Sequence, residues 1–375
     1  MRVATVCPYA LSVPGGVQGQ VISIASALAA LGCEVAVVAP DDVDSRARGG
    51  LADDLARSGI VVVPAGRTVA VRANGSLAPV ALSPVGVRGA LRAVRAWRPD
   101  VVHVHEPLVP AVAISAVLAR IAPAIGTFHR AGAGRLYRAA RPLARACLAR
   151  LDDVVAVSAA ARDTLLAVAG AGASRCAIVP NGVATSRFEA AEPWPSSGPT
   201  VVFVGRHEPR KGVSVLLEAL DSLPGSTRVW LVGDGPETAS LRARFGADPR
   251  VEWCGRIDDG ALARRLSGAD VLVAPSLSGE SFGVVLLEAM AAGTAVVASD
   301  LPGYRMAAGD AARYVPPGDA LALGRALRVL LEDADARRSL VAAGRARAAT
   351  CSVDQVARAY LARYEVLAGG GSGAT

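Results

Sequence analysis

The chain has almost no lysine. Of its 40 basic residues only Lys211 is not arginine, and asparagine occurs just twice, at Asn74 and Asn181. A global preference for arginine accounts for the first scarcity, but not for where the single lysine survives. Aromatics are 4% and charged residues 19% of the 375 positions, while 52% are hydrophobic; this is a packed globular composition and excludes an intrinsically disordered chain. No basic run is interleaved with aromatics. That removes nucleic acid as a partner, although the net charge is +7 and the pI near 9.4. Nucleotides and acidic lipid remain as anions such a surface tolerates. The six cysteines (7, 33, 147, 176, 254, 351) lie far apart, with no C-x-x-C pair and no histidine at metal spacing. They exclude a disulfide framework and point to buried thiols in a reduced, cytoplasmic chain. The longest apolar window, 108–126, is broken by Pro110, Arg120 and Pro123, so no membrane span is expected. The opening MRVATVCPYA lacks a small-residue cleavage site, and no signal peptide is read there.

What is present is a regular alternation of strands and helices. Residues 2–7, 17–31 and 34–39 read as strand, helix and strand around a Pro/Gly loop, a βαβ unit of a parallel sheet. Gly15 and Gly16 precede the helix, where bare N–H groups meet a phosphate or the glycines simply make a tight turn. Strands are expected at 59–64 and 69–72 around a turn. A basic helix follows at 87–97, with Arg88, Arg92 and Arg95 on one side and Leu91, Val94 and Trp97 on another. That helix is either a solvated domain surface or an interfacial helix on acidic headgroups. Strands ending at Glu106 and His129 put His105, Glu106 and His129 at C-terminal strand ends, where open α/β sheets bind ligands. The Pro/Ser/Gly-rich stretch 189–199 reads as a linker, after which a second βα series runs to 352. The expected fold is therefore α/β, with two Rossmann-like domains, 1–188 and 200–352, facing across a cleft.

The chemistry concentrates in two stretches. In FVGRHEPRKG, 203–212, Arg206 and Lys211 follow a strand and face the crevice. Fixed cations there meet the charge of a departing diphosphate, the lysine as a compact ammonium and the arginine as a fork. In PSLSGESFGVVLLEAM, Ser281 is a candidate cap for a helix ended by Gly293, and Glu280 and Glu288 bracket its first turns. Eight helical positions separate the two carboxylates by ~12 Å, too far for a hydrolytic pair on one glycosidic bond. The spacing suits two ends of a nucleotide sugar, Glu280 on sugar hydroxyls and Glu288 on ribose. Backbone N–H groups around Phe282 and Gly283 then face phosphate or sugar. The acidic pairs Asp41-Asp42, Asp53-Asp54, Asp152-Asp153 and Asp258-Asp259 sit at element ends without a third ligand. No obligatory metal is expected, although Mg2+ could accompany the substrate.

These motifs carry a resemblance. VCPYALSVPGGVQ, HVHEP, GTFH, IVPNGV, FVGRHEPRKG and GESFGVVLLEAMAAGTAVVASDL, between residue 6 and about 301, resemble a retaining glycosyltransferase of the two-Rossmann-domain (GT-B), family 4 kind. The E-x7-E pattern falls on Glu280 and Glu288. Within that kind the chain is most similar to actinobacterial phosphatidyl-myo-inositol mannosyltransferases. The resemblance implies transfer of mannose from GDP-mannose with retention, to an anionic phospholipid, by an enzyme peripheral to the inner membrane face. It places Gly16, Arg206 and Lys211 on the diphosphate, Glu288 on ribose, and Glu280 on mannose, with Asp259, Phe282 and Gly283 also in the donor site. His129 lies beside the reacting centre, and Tyr9, Gln18 and Asn74 near the acceptor. The last helix, 353–367, returns to the first domain. The chain departs from the pattern at four places. Pro79 stands where an acceptor-site arginine is usual, Arg130 replaces a threonine, Leu262 replaces a lysine near the base, and the basic helix has scattered rather than clustered arginines. A transferase using another nucleotide sugar and a soluble acceptor, a sugar-nucleotide epimerase, and a non-catalytic binding protein are the rival readings.

Overall fold

The computed structural model describes residues 1–12, 15–41, 55, 58–73, 76–132 and 139–369. They form two compact units, Met1–Gly182 with Val353–Thr375, and Val183–Ser352. In the first unit β1 (Arg2–Val6), α1 (Gly16–Ala30), β2 (Glu34–Asp41), β3 (Val61–Ala73), β4 (Ser76–Ala81), α2 (Pro84–Trp97) and β5 (Val101–His105) lead to α3 (Val112–Ala119), β6 (Ala124–Phe128), α4 (Arg141–Leu148), β7 (Asp153–Ala156), α5 (Ala159–Ala169) and β8 (Ala177–Ile178). The sheet order is β4-β3-β2-β1-β5-β6-β7-β8, and only the β3–β4 pair is antiparallel. Consecutive apolar residues explain the burial of both faces. Val3, Val35, Val37 and Val101 join one core with α1, while Ala4, Val6, Val38, Val102 and Val104 join the other with α2 and α3.

The second unit runs α6 (Thr185–Glu189), β9 (Thr200–Val204), a 3-10 turn at Pro209–Lys211, α7 (Val213–Ala219), β10 (Arg228–Val232), α8 (Thr238–Phe245), β11 (Val251–Gly255) and α9 (Asp259–Ser267). It continues through β12 (Val271–Ala274), α10 (Val284–Ala292), β13 (Ala295–Ser299), α11 (Pro302–Ala308), β14 (Arg313–Val315), α12 (Ala320–Glu332) and α13 (Ala334–Thr350). Its parallel sheet has the order β11-β10-β9-β12-β13-β14. Its faces divide by the same alternation. Val201, Phe203 and Val271 pack with α7 and α12, whereas Val202, Trp230 and Leu272 pack with α9, α10 and α11.

Three expectations are corrected. The chain passes between the units at Gly182 and Val183, not after 188. The stretch 189–199 is not a linker, because the Trp194 N–H donates to the Arg264 carbonyl at 2.9 Å and the Arg265 guanidinium lies 4.2 Å from the Trp194 ring centre. Proline and serine removed the periodicity there without removing the contacts. The two strands expected at 59–64 and 69–72 are one long strand, β3. It pairs in parallel with β2 from Val61 to Arg67, with a register shift after Pro64, and antiparallel with β4 from Thr68.

Ser83 caps α2 by accepting the Gly86 N–H, and Pro84 opens its first turn. Val87, Ala90 and Val94 are buried, Leu91 and Trp97 pack partly against the same core, and Arg88, Arg92 and Arg95 are exposed. The last helix, α14 (Val353–Gly369), buries Val356, Ala357, Tyr360 and Tyr364 in the same core cluster as α1. No described helix is long and apolar enough to cross a membrane.

Candidate active site

In the second unit the lone lysine meets a carboxylate. Lys211 Nζ is 2.7 Å from Glu280 Oε1, which also accepts from Arg210 at 3.0 Å and from Ser276 Oγ at 3.0 Å. The Tyr304 hydroxyl stands 2.7 Å from Ser276 Oγ. Since the serine has one hydrogen and gives it to Glu280, the tyrosine donates to the serine. Arg210 is steadied in turn by the buried Glu208 at 3.2 Å. Burial pushes the Glu280 carboxyl up, but Lys211, Arg210 and Ser276 together hold it below the usual carboxylate range. Arg206 is exposed just beyond β9.

Residues 280–283 are loop, so the eight-residue spacing to Glu288 is not two helical turns, and Ser281 is not the cap. The N-cap of α10 is Gly283, at φ 94°, with no capping side chain. A Cβ at Gly283 would lie 2.5 Å from the Tyr304 ring, and one at Gly303 only 2.2 Å from the Glu280 carbonyl. Glycine alone allows this clamp of the loop on α11. The Phe282 side chain is core, buried to 1% exposure, which leaves only its backbone to face a ligand.

Glu288 lies in α10. Burial of its carboxyl raises its pKa to about 7, against the lowering field of Arg187 and with a smaller raising contribution from Asp259. Arg187 and Asp259 pair at 2.9 Å, and Arg187 also donates to the Asp259 carbonyl at 2.7 Å. Asp258 is the α9 cap, accepting the Ala261 N–H. Among the described residues no three His, Cys, Asp or Glu side chains group as metal ligands.

In the first unit α1 begins at an exposed Gly16 without a capping side chain, and a Cβ there would meet nothing within 4 Å. No contact among the described residues demands glycine at that position. Gln18 is buried, with its Nε2 3.5 Å from the Ala10 carbonyl, and Tyr9 forms an isolated bridge to Val80. Asn74 lies outside the described residues. His129 is buried at the end of β6. Its backbone N–H donates to Glu106 at 2.6 Å, its Nε2 is 2.9 Å from His105 Nδ1, and its ring also bonds the Asn181 side chain. Burial lowers its pKa to about 4, with Asn181 opposing. Glu106 has φ 48°, strained for a non-glycine, and burial raises its carboxyl to about 7 against the His129 and Arg130 N–H groups and the Arg130 charge. Behind this cluster His103 Nε2 is 2.7 Å from Thr127 Oγ1 and its Nδ1 is 2.7 Å from the Tyr364 hydroxyl; Thr127 also bonds Tyr360 at 3.0 Å.

Arg210, Arg187, Ser276 and Tyr304 were not among the expected site residues. Gln20 was also missed: its amide exchanges two 2.8 Å hydrogen bonds with the Gly182 backbone at the end of the first unit.

Residues 14–187 match the family model for Glycosyltransferase Family 4, and residues 198–333 that for Glycosyl transferases group 1. A glycosyltransferase from Rickettsia africae superposes with a TM-score of 0.77 at 20% identity, over 98% of each chain. Anabaena HepE, solved with UDP-glucose, superposes at 0.75 and 18% identity, over 98% of this chain and 100% of that one. The two Rossmann-like units have the GT-B fold, and the glycosyltransferase family models matched on each make the protein a glycosyltransferase. Its sequence narrows the class. It is 37% identical over 382 residues to the phosphatidyl-myo-inositol mannosyltransferase of Mycolicibacterium smegmatis, covering 99% of this chain and 95% of that protein. The chain belongs to the phosphatidyl-myo-inositol mannosyltransferase family.

Proposed function

We propose that the protein is a retaining α-mannosyltransferase that moves mannose from GDP-mannose to phosphatidyl-myo-inositol or a related lipid, working as a peripheral enzyme on the inner face of the plasma membrane. The observation that carries the donor half is the convergence of Lys211, Arg210 and Ser276 on the buried Glu280. Lysine has two further N–H groups for a diphosphate, and a carboxylate held ionised accepts sugar hydroxyls. Arg206, Lys211 and the open backbone at Gly16 meet the diphosphate charge as it grows on the leaving group. Glu288, desolvated and near neutrality, accepts the ribose hydroxyls, with Asp259 and the backbone of Phe282 and Gly283 completing the donor site. His129 orients the transferred sugar, and Tyr9, Gln18 and Asn74 serve the acceptor. No protein nucleophile is assigned; the acceptor hydroxyl attacks from the leaving-group side, and no bound catalytic metal is required.

The acceptor half rests on the family, and the membrane half on α2, whose exposed Arg88, Arg92 and Arg95 suit acidic headgroups. Leu262 and Pro79, at positions where the family pattern has basic residues, favour a second reading: a different nucleotide sugar and a soluble acceptor. Incubation with radiolabelled GDP-mannose, UDP-glucose and ADP-glucose plus lipid extract separates the two. Mannose label in the lipid phase, α-linked by NMR and formed in the presence of a chelator, is the expected result. Label confined to the aqueous phase overturns the lipid acceptor, and a β-linked product overturns retention.

A further inference from the structure

Glu280 is gripped unevenly. Its Oε1 takes all three donors, Lys211 Nζ at 2.7 Å, Arg210 at 3.0 Å and Ser276 Oγ at 3.0 Å. Among the described residues no hydrogen bond reaches Oε2. The lysine and the arginine bring charge on long side chains rich in rotamers. The serine is short, and backbone sets its place. The Leu277 N–H donates to the Arg210 carbonyl at 2.7 Å, and a Cβ at Gly212, φ 66°, would strike the Pro275 carbonyl oxygen. These contacts strap the loop after β12 to the turn that carries Lys211. Ser276 is 1% exposed, so its hydroxyl is held away from water.

Tyr304 decides where that hydroxyl points. Its phenol oxygen lies 2.7 Å from Ser276 Oγ, and burial together with the Glu280 charge keeps the phenol protonated far above neutrality. The serine has one hydrogen. With the phenol donating to its oxygen, that hydrogen goes to Oε1. Without the phenol the same hydroxyl is free to rotate; with it the serine is a fixed donor, and each bond in the chain strengthens the next. The tyrosine ring is fixed by the loop it serves. A Cβ at Gly283 would lie 2.5 Å from it, and one at Gly303, its neighbour in α11, would strike the Glu280 carbonyl.

We infer that Ser276 and Tyr304 are positioning residues of the donor site, a two-hydroxyl relay that locks Oε1 of Glu280 and leaves Oε2 to accept a hydroxyl of the transferred sugar. The assignment rests on the reading that Glu280 meets that sugar. Ser276 gives its hydrogen to Oε1 and Tyr304 gives its hydrogen to Ser276, so both act through the carboxylate. A carboxylate with three donors on one oxygen cannot pivot about its last torsion without breaking them. The direction of the Oε2 lone pairs is therefore set before the donor arrives, and no ordering is left for binding to supply. Charge alone does not achieve this. Arg210 is shared with Glu208 at 3.2 Å, and the Lys211 ammonium is a point charge that follows the carboxylate wherever it turns.

The test is calorimetry of the full chain with GDP and with GDP-mannose, read as the dissociation constant of GDP divided by that of GDP-mannose. This ratio isolates what the sugar adds, and a variant that merely loosens the site weakens both ligands together. Ser276→Ala should lower the ratio about tenfold, the effect of one hydrogen bond to a charged group, with GDP affinity itself unchanged. Tyr304→Phe should lower it about threefold, because its loss frees the serine without removing it. In the Ser276→Ala background Tyr304→Phe should change the ratio no further, since the phenol acts only through the serine. Wild-type ratios in both single variants, while Glu280→Ala lowers the ratio, overturn the proposal and leave the sugar reading standing. Additive losses in the double variant also overturn it, because the tyrosine then acts by packing. If Glu280→Ala itself keeps the wild-type ratio, Glu280 does not meet the sugar, and the reading and the proposal fall together.

Discussion

Replacing Lys211 by alanine removes the shortest of the three contacts to Glu280 and leaves a carboxylate whose side chain is 9% exposed. Breaking a buried ion pair by deleting one partner costs about 3–5 kcal/mol when the remaining charge is left alone. Here Arg210 and Ser276 stay at 3.0 Å, so the loss should be smaller, ~2 kcal/mol. Most of that loss comes from the stranded charge rather than from the missing lysine. Neutralising Glu280 in the same background should therefore restore stability. Urea unfolding of wild type, Lys211→Ala and Lys211→Ala/Glu280→Gln, read by fluorescence and checked for a single transition, gives the comparison. The double variant is expected to recover at least half of the deficit. Transfer from GDP-mannose should not recover with it, because two of the charged groups assigned to the donor are then gone. If the double variant is no more stable than the single one, the lysine acts by packing alone, and the electrostatic account of the cluster is wrong.

The desolvated Glu288, with a pKa of about 7, binds ribose hydroxyls best when ionised, so GDP affinity should rise with pH. Calorimetry from about pH 6 to about pH 8 should show roughly a tenfold gain, which Glu288→Gln abolishes. Acid stability should fall in two stages. His103, His105 and His129 all have lowered values, so below pH 6.5 the unfolded chain takes up protons that the folded one does not. Glu106 and Glu288, both raised to about 7, take up protons in the folded state down to their ordinary value near 4.5 and offset much of this. Urea midpoints should therefore decline gently to about pH 4.5 and steeply below it, and a steep loss already at pH 6 would contradict these shifts. Gly303→Ala should abolish transfer and lower the melting temperature, since its Cβ would strike the Glu280 backbone. Serine at Arg88, Arg92 and Arg95 together should weaken binding to phosphatidylserine-containing vesicles by about 1 kcal/mol per residue, with no effect on GDP binding in solution.

Strands β1, β5, β6, β12 and β13 were legible because each is a short run of mostly apolar residues buried on both faces. Lys211 was legible because it is unique. Arg210, which completes the grip on Glu280, is one arginine among dozens, and composition gives no reason to choose it over Arg206. The same holds for Arg187, which lies 72 residues from Asp259. Tyr304 and Ser276 become site residues only through the close approach permitted by Gly283 and Gly303, a tertiary fact without a local signature. The stretch 189–199 is misplaced by sequence pattern because loss of periodicity is not loss of packing. Trp194, flanked by prolines at 193 and 195, packs without being periodic.

The state of His129 limits what the site can do chemically. A ring with a pKa of about 4 is neutral at physiological pH, so it carries neither a charge to set against the diphosphate nor a proton ready to give to it. Its Nε2 is engaged by His105, and its contact with Asn181 engages the ring a second time. These bonds are rigidly supported, because α14 fixes the neighbouring strand ends through Tyr360 on Thr127 and Tyr364 on His103. A neutral imidazole held by two protein partners is poorly suited to general-acid catalysis. Protonation or charge neutralisation of the leaving group must then come from elsewhere. In the second unit, the cations that can supply it are those already grouped near Glu280. On this reasoning the one lysine persists because a compact ammonium can hold the ionised Glu280 at 2.7 Å and still turn its remaining hydrogens to a phosphate oxygen, which a planar guanidinium fork at the same position would do with poorer geometry.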